Sequence, residues 1–175
     1  FPVRQGIPPD LLAAAGFAQA QSATYGVDPT HTFVTFEAQH FGTSTLRGRF
    51  DRKEGTVQFD RAGKSGKVEL TLDMTSITTN VPPFDKHLQS DEFFDAAKFP
   101  TATFVGDKFV FDGDKVKEVQ GQLTLRGKTH PVTLKAVRFN CYDSPILKRE
   151  LETGVPVVYR LKANSLPLSV DVLSA

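Results

Sequence analysis

From Thr32 to Phe41 apolar and polar residues alternate, which places Val34, Phe36, Ala38 and His40 on one face of a strand and Phe33, Thr35, Glu37 and Gln39 on the other. Gly42 ends this run, and Leu46 to Phe50 resumes it. Thr56 to Asp60 alternates again before a polar loop, Arg61 to Gly66. Lys67 to Thr75 is the cleanest case: Val68, Leu70, Leu72 and Met74 oppose Glu69, Thr71 and Asp73, the pattern of a half-buried antiparallel strand. Ala102–Phe104 and Phe109–Phe111 read as strands on either side of Gly106-Asp107-Lys108. Asp112-Gly113-Asp114 signals a turn before Val116 to Leu125, and Gly127-Lys128 a second one before Val132 to Ala136. Leu166, Leu168, Val170 and Val172 alternate once more. Short strands joined by local turns predict an all-β, lipocalin-like up-and-down antiparallel barrel of about eight strands, since closure removes exposed edges. A barrel of about that size holds one small ligand.

One stretch breaks the period. Leu88, Phe93, Phe94 and Ala97 recur at helical spacing, and Ser90 is placed as an N-cap before Asp91 and Glu92. This predicts a short helical insert near residues 83–98, introduced by Pro82-Pro83 and closed by Pro100. An apolar insert in a β chain has to bury its phenylalanines, and the barrel mouth offers the place, so the insert is a candidate lid or plug. A second apolar run, Leu11 to Ala23, resembles the back end of a secretory signal, with small residues spaced for cleavage after Ala20 or Ala23; the plainer reading is an N-terminal helix. The chain divides on this basis into an N-terminal extension, 1–23, and a barrel domain, 24–175. Export would place the protein in the periplasm or outside the cell.

With 175 residues the chain can bury one real core. Phe numbers 15 and Trp is absent, so an aromatic lining is phenylalanine. A net charge of +1, spread along the chain, gives no reason to expect nucleic acid. No stretch is long enough for a transmembrane helix. His31, His40, His87 and His130 are far apart in sequence and none has a zinc spacing; Asp85-x-His87 comes nearest to a ligand pair, with a solvated helix start as the plainer reading. There is no Gly-x-Ser-x-Gly elbow, and Cys141 has no histidine near it. The expectation is therefore no catalytic residue, no metal and no cofactor. What remains is apolar surface. Phe36, Val68, Leu70, Leu72, Leu123 and Leu125 point inward from several strands, with Leu88, Phe93 and Phe94 above them. On the residues alone they interdigitate as a filled core.

The run from His87 to Phe104, together with Tyr25–Thr32, Gly48–Asp51 and Gly121–Thr129 in that order and spacing, resembles the YceI-like family of polyisoprenoid-binding, lipocalin-like proteins. The resemblance implies an elongated apolar cavity that takes an isoprenoid quinone or a polyprenyl phosphate as its ligand. It makes the inward set, with Phe104 added, the candidate ligand-binding residues. A head group at the mouth would have His87, Asp85 or Arg126 within reach. Two rivals stay open: an enzyme that acts on such a lipid with histidine as acid or base, and a filled β-domain that works through protein contacts. Homodimerisation is a further open expectation. Phe139–Pro145 and Lys148-Arg149-Glu150 resemble a subgroup that implies a second cysteine just after the Lys-Arg-Glu; here Leu151 follows instead, leaving Cys141 without that partner.

Overall fold

A computed structural model describes residues 22–137 throughout and, beyond them, the backbone of strands at 140–143, 150–153, 157–161 and 167–171. The predicted N-terminal helix or signal run, up to Gln21, lies outside the described residues. In chain order the elements are β1 Ala23–Gly26, β2 Val34–His40, β3 Ser44–Phe50, β4 Lys53–Asp60, β5 Ser65–Asp73, β6 Ile77–Thr78, α1 Pro82–Gln89, β7 Thr101–Asp112, β8 Lys115–Leu125, β9 Lys128–Lys135, β10 Asn140–Asp143, β11 Glu150–Thr153, β12 Val157–Leu161 and β13 Pro167–Asp171. One sheet has the order β1-β4-β5-β7-β8-β9, the other β13-β12-β2-β3-β6, and β10 pairs with β11 alone. All pairs are antiparallel except β12 with β2. The expected all-β class is found, and the strand expected over 166–172 is β13. The sheets differ from the simplest barrel in one respect: β9 and β13 lie side by side, yet among the described residues no ladder joins the two sheets into a closed cylinder.

The chain crosses between the sheets twice at one corner. β3 passes into β4 through Asp51-Arg52, and β5 returns through a 3₁₀ turn, Met74–Ser76, into β6. Asp73 caps that turn: its Oδ1 accepts from the Thr75 amide at 2.8 Å and the Thr75 hydroxyl at 2.7 Å, while Oδ2 accepts from Arg52 Nε at 2.8 Å. Arg52 also donates to Thr75 Oγ1 at 2.7 Å. The Thr75 hydroxyl first, and then Arg52, hold the Asp73 carboxyl below its ordinary range.

β7 is one strand where the sequence pattern suggested two. Its register with β8 steps from Gly106↔Gly121 to Lys108↔Gln120, so Asp107 is extra, and from Val110↔Glu118 to Phe111↔Val116, so Lys117 is extra. A strand alternates with period two, so each added residue switches which side chains face in. Phe109 thereby shares the inner face with Ala102, Phe104 and Gly106, and Val116 is buried like Leu123. Gly-Asp-Lys carries a turn composition but forms a bulge.

The insert is helical only over Pro82–Gln89, earlier and shorter than expected. The prolines at its first positions set its start, since their missing amides are unpaired there anyway. Ser90 ends the helix instead of starting it: its backbone is extended, and its amide and hydroxyl both donate to the His87 carbonyl, at 3.1 and 2.7 Å. Residues 91–98 continue as turns, tied by Phe94 N–H to Leu88 O at 3.0 Å and Ala96 N–H to Gln89 O at 2.9 Å. These turns, and not a helix face, bring Phe93 and Phe94 to the same side as Leu88.

Candidate functional site

The ladder registers arrange the inner face of the larger sheet in rows, because residues paired across antiparallel strands point the same way. Next to the insert, Leu72 pairs with Ala102. The following row is Gly55, Leu70, Phe104, Leu123 and His130. Beyond it come Val57, Val68, Gly106, Gly121 and Val132, and then Phe59 with Gly66 and Phe109 with Val119 and Leu134.

Burial changes along these rows. At the insert, Leu72, Met74, Ile77 and Ala102 join Phe36 and Phe50 from the other sheet and Leu88, Phe94 and Ala96 from the insert in one fully buried cluster. Phe94 is 7 % exposed and meets Phe36 and Phe50 edge-on, with ring centroids 6.4 and 6.1 Å apart. Further in, Phe104 and Leu123 remain buried, whereas Leu70, Val68, Val132, Val119, Leu134 and Phe109 are only half-buried although they face inward. In the far rows Phe59 is buried, tilted against Phe109 at 6.2 Å and stacked with Phe111 at 6.1 Å.

Several inner rings lie along the wall instead of across the interior. A Cβ at Gly106 would sit 2.8 Å from Phe104 Cε1, one at Gly121 2.8 Å from Phe104 Cζ, and one at Gly66 2.7 Å from Phe109 Cζ. Phe36 overlies its ladder partner Gly48 in the same way. Glycine leaves room above the backbone, and the neighbouring ring occupies it.

The insert is held from two sides and braced within itself. Asp85 Oδ1 accepts from the amide and hydroxyl of Thr79, both at 2.6 Å, and fixes the first turn of α1 to the end of β6. Arg126, in the β8–β9 turn, donates to the Asp91 carbonyl at 2.8 Å. Gly127 in the same turn has φ +69° and would place a Cβ 2.8 Å from Phe99, so both its dihedral and its close approach call for glycine. His87 pairs with Glu92 at 2.7 Å and meets the Phe93 ring edge-on at 4.8 Å.

Phe36, Leu72, Leu88 and Phe94 thus belong to the sealed cluster, with Leu70, Phe93 and Leu125 packed against it. Phe104, Leu123 and Val68 lie in the rows beneath. Asp85 and His87 do not act as a ligand pair: one is engaged with Thr79, the other with Glu92. Arg126 is engaged with the insert backbone. Among the described residues no group of His, Cys, Asp or Glu is arranged to hold a metal ion. The sequence reading missed Phe50, Phe59, Phe109 and the glycines beneath the rings. Phe50 was visible as the paired end of a strand; Phe109 was hidden by the bulge.

A family model, the YceI-like domain, matches residues 25–163. The protein YceI of Escherichia coli O157:H7 is 40% identical over 136 residues, covering 77% of this chain and 71% of that one. YceI of Salmonella arizonae is 41% identical over the same length and with the same coverage. Among solved structures, the Campylobacter jejuni YCEI protein superposes with a TM-score of 0.54 at 30% identity, covering 70% of this chain and 72% of that one. Burkholderia cenocepacia BcnA shares the fold, with a TM-score of 0.61 at 24% identity over 76% of this chain and 80% of that one. A family model that spans most of the chain, and relatives at this identity over two thirds of their length, lead to one conclusion: the chain belongs to the YceI-like family.

Proposed function

We propose that this protein binds and carries an elongated apolar lipid of the polyisoprenoid kind in the space between its sheets, and that it is a carrier and not an enzyme. The observation that carries this reading is the burial gradient: inward-facing Leu70, Val68, Val132 and Leu134 stay half-buried beneath a fully buried plug. Side chains of a filled core would be buried throughout. The phenylalanines laid over glycines support the same reading, since they line a wall without filling what lies between the walls. Each methylene moved from water into such a space contributes about 0.8 kcal/mol, so a few isoprene units supply affinity without any polar contact.

Export is part of the proposal. The motivation is the Leu11 to Ala23 run, and β1 refines it. Ala23 is the first residue of β1 and pairs with Phe59, so removal after Ala20 leaves the strand whole, whereas removal after Ala23 trims it. No helix among the described residues is long and apolar enough to cross a membrane.

Organic extraction and mass spectrometry of protein from its native host tests the carrier reading. A stoichiometric isoprenoid in the extract is the expected result. An empty extract, with no uptake of an added isoprenoid by the delipidated protein, would defeat it.

A further inference from the structure

His130 lies inward of the hairpin tip, in a row otherwise made of Leu123, Phe104, Leu70 and Gly55. Through the β8–β9 register it pairs with Leu123 and shares a row with Phe104 and Leu70, while Val132 follows two residues along the same face. Its strand neighbours Thr129 and Pro131 point the other way. Its ring nitrogen Nε2 is buried and has no hydrogen-bond partner. A buried polar atom without a partner costs stability, and native proteins rarely keep one without a use. The row beyond it carries only valine and glycine; the row toward the insert carries Leu72, Ala102 and Leu125, with Lys53 at one end, its ammonium over the Phe33 ring and donating to the Asp51 carbonyl, and exposed Lys128 at the other.

Resting on the carrier reading above, we infer that His130 is the polar anchor of the ligand, and that it receives a neutral hydrogen-bonding head group, a hydroxyl or a carbonyl, in preference to a phosphate. The imidazole accepts from a hydroxyl through one tautomer and donates to a carbonyl through the other. A phosphomonoester at His130 would bring up to two negative charges beside a single buried imidazole, with the nearest cation in register, Lys128, exposed at the hairpin tip, and an anion buried without adequate pairing is strongly disfavoured. His130 lies two residues inside Lys128, at the hairpin tip that Arg126 ties to the insert. The head therefore sits beneath the plug, and the tail runs past Val68 and Val132 toward Phe59 and Phe109. His87, Asp85 and Arg126, the residues that the sequence offered for a head group, already have protein partners.

The test uses the delipidated full chain and three C20 probes with the same tail: geranylgeraniol, geranylgeranyl phosphate and the corresponding hydrocarbon without oxygen. Affinities are read by displacement of a fluorescent isoprenoid. Wild type should bind the alcohol about tenfold more tightly than the hydrocarbon, the worth of one good hydrogen bond, and the phosphate no more tightly than the alcohol. His130→Leu and His130→Met should both bring the alcohol down to the level of the hydrocarbon, and His130→Gln should keep part of the preference. In lipid-free protein His130→Leu should raise the urea midpoint, because it removes the unpartnered atom. An alcohol preference unchanged in whichever of the two apolar variants folds would overturn the anchor. Wild-type preference for the phosphate would overturn the neutral head group. If none of the three probes binds wild type, the carrier reading falls, and the anchor with it.

Discussion

At the scale of single residues the glycines under the rings make the sharpest distinction between a lined space and a filled one. At Gly106 the atoms nearest an added Cβ are side-chain atoms of Val119 and Phe104, at 2.7–3.0 Å. In a filled interior the displaced Phe104 ring would have nowhere to go, and overpacking of that kind costs typically about 1–3 kcal/mol. Beside an open space the ring swings inward at little cost and takes room from the ligand. Gly106→Ala should therefore lose under about 1 kcal/mol in urea melts of lipid-free protein while weakening isoprenoid binding roughly tenfold. A large stability loss with binding unchanged would count against the open interior. Gly121→Ala is no substitute test, because its Cβ would run into the Val105 carbonyl and the Gly106 backbone. Asp73 gives a second prediction. Its carboxyl is held below the ordinary value of 3.8 by Thr75 and Arg52. Its contribution to stability is thus present in full above the unfolded value and is lost as pH falls through the lower, folded one. Asp73→Asn should be less stable than wild type at pH 7, by about 1 kcal/mol as for other lost caps, and the gap in urea midpoint should narrow below pH 4. A gap that stays constant with pH would mean that the carboxylate charge does not matter at this corner.

At the scale of elements, Phe93 and Phe94 have different jobs although they are adjacent. Phe94 is core, packed on Phe36 and Phe50, and Phe94→Ala should cost about 3–5 kcal/mol whatever the ligand state. Phe93 is half-buried under His87, so Phe93→Ser should leave the fold nearly intact and speed release of a fluorescent isoprenoid. Release unchanged in Phe93→Ser would take the insert out of the ligand's path. The sequence showed that an apolar insert sits between β-strands at this place, because its prolines and its break in period are local signals. It misplaced the helix, because Ser90 has the composition of an N-cap and what decides its role is which carbonyl it meets. The strand alternation was legible wherever period two held, in β2 and β5 above all. It failed across Asp107 and Lys117, where one extra residue on one strand reverses the faces and no residue type announces the slip. The crossing corner was equally invisible, since Arg52 and Asp73 are brought together only by the pairing of β4 with β5.

At the scale of the whole molecule, the inner faces combine a fully buried cluster with rows that are only half-buried, and on the carrier reading ligand should act on the two unequally. Leu72 lies in the sealed cluster and Leu70, two residues along the same face, lies beside the half-open rows. Leu72→Ala opens a void among close-packed neighbours and should cost about 2–5 kcal/mol. Leu70→Ala, and Leu125→Ala at the edge of the cluster, lose fewer contacts and should fall at or below the low end of that range in lipid-free protein. A ligand that binds only the folded state adds stability as RT ln(1 + [L]/Kd), roughly 2.7 kcal/mol at a hundredfold excess over Kd. Wild type and Leu72→Ala should therefore gain by a similar amount when loaded, because Leu72 is enclosed in the fully buried cluster. Leu70→Ala should gain less, because on the carrier reading it removes part of the wall proposed for the tail. Urea melts of each protein, delipidated and loaded, read all of these differences at once. If Leu70→Ala and Leu72→Ala cost the same without lipid and no protein gains from lipid, the interior is one packed core, and the molecule works by something other than what it holds.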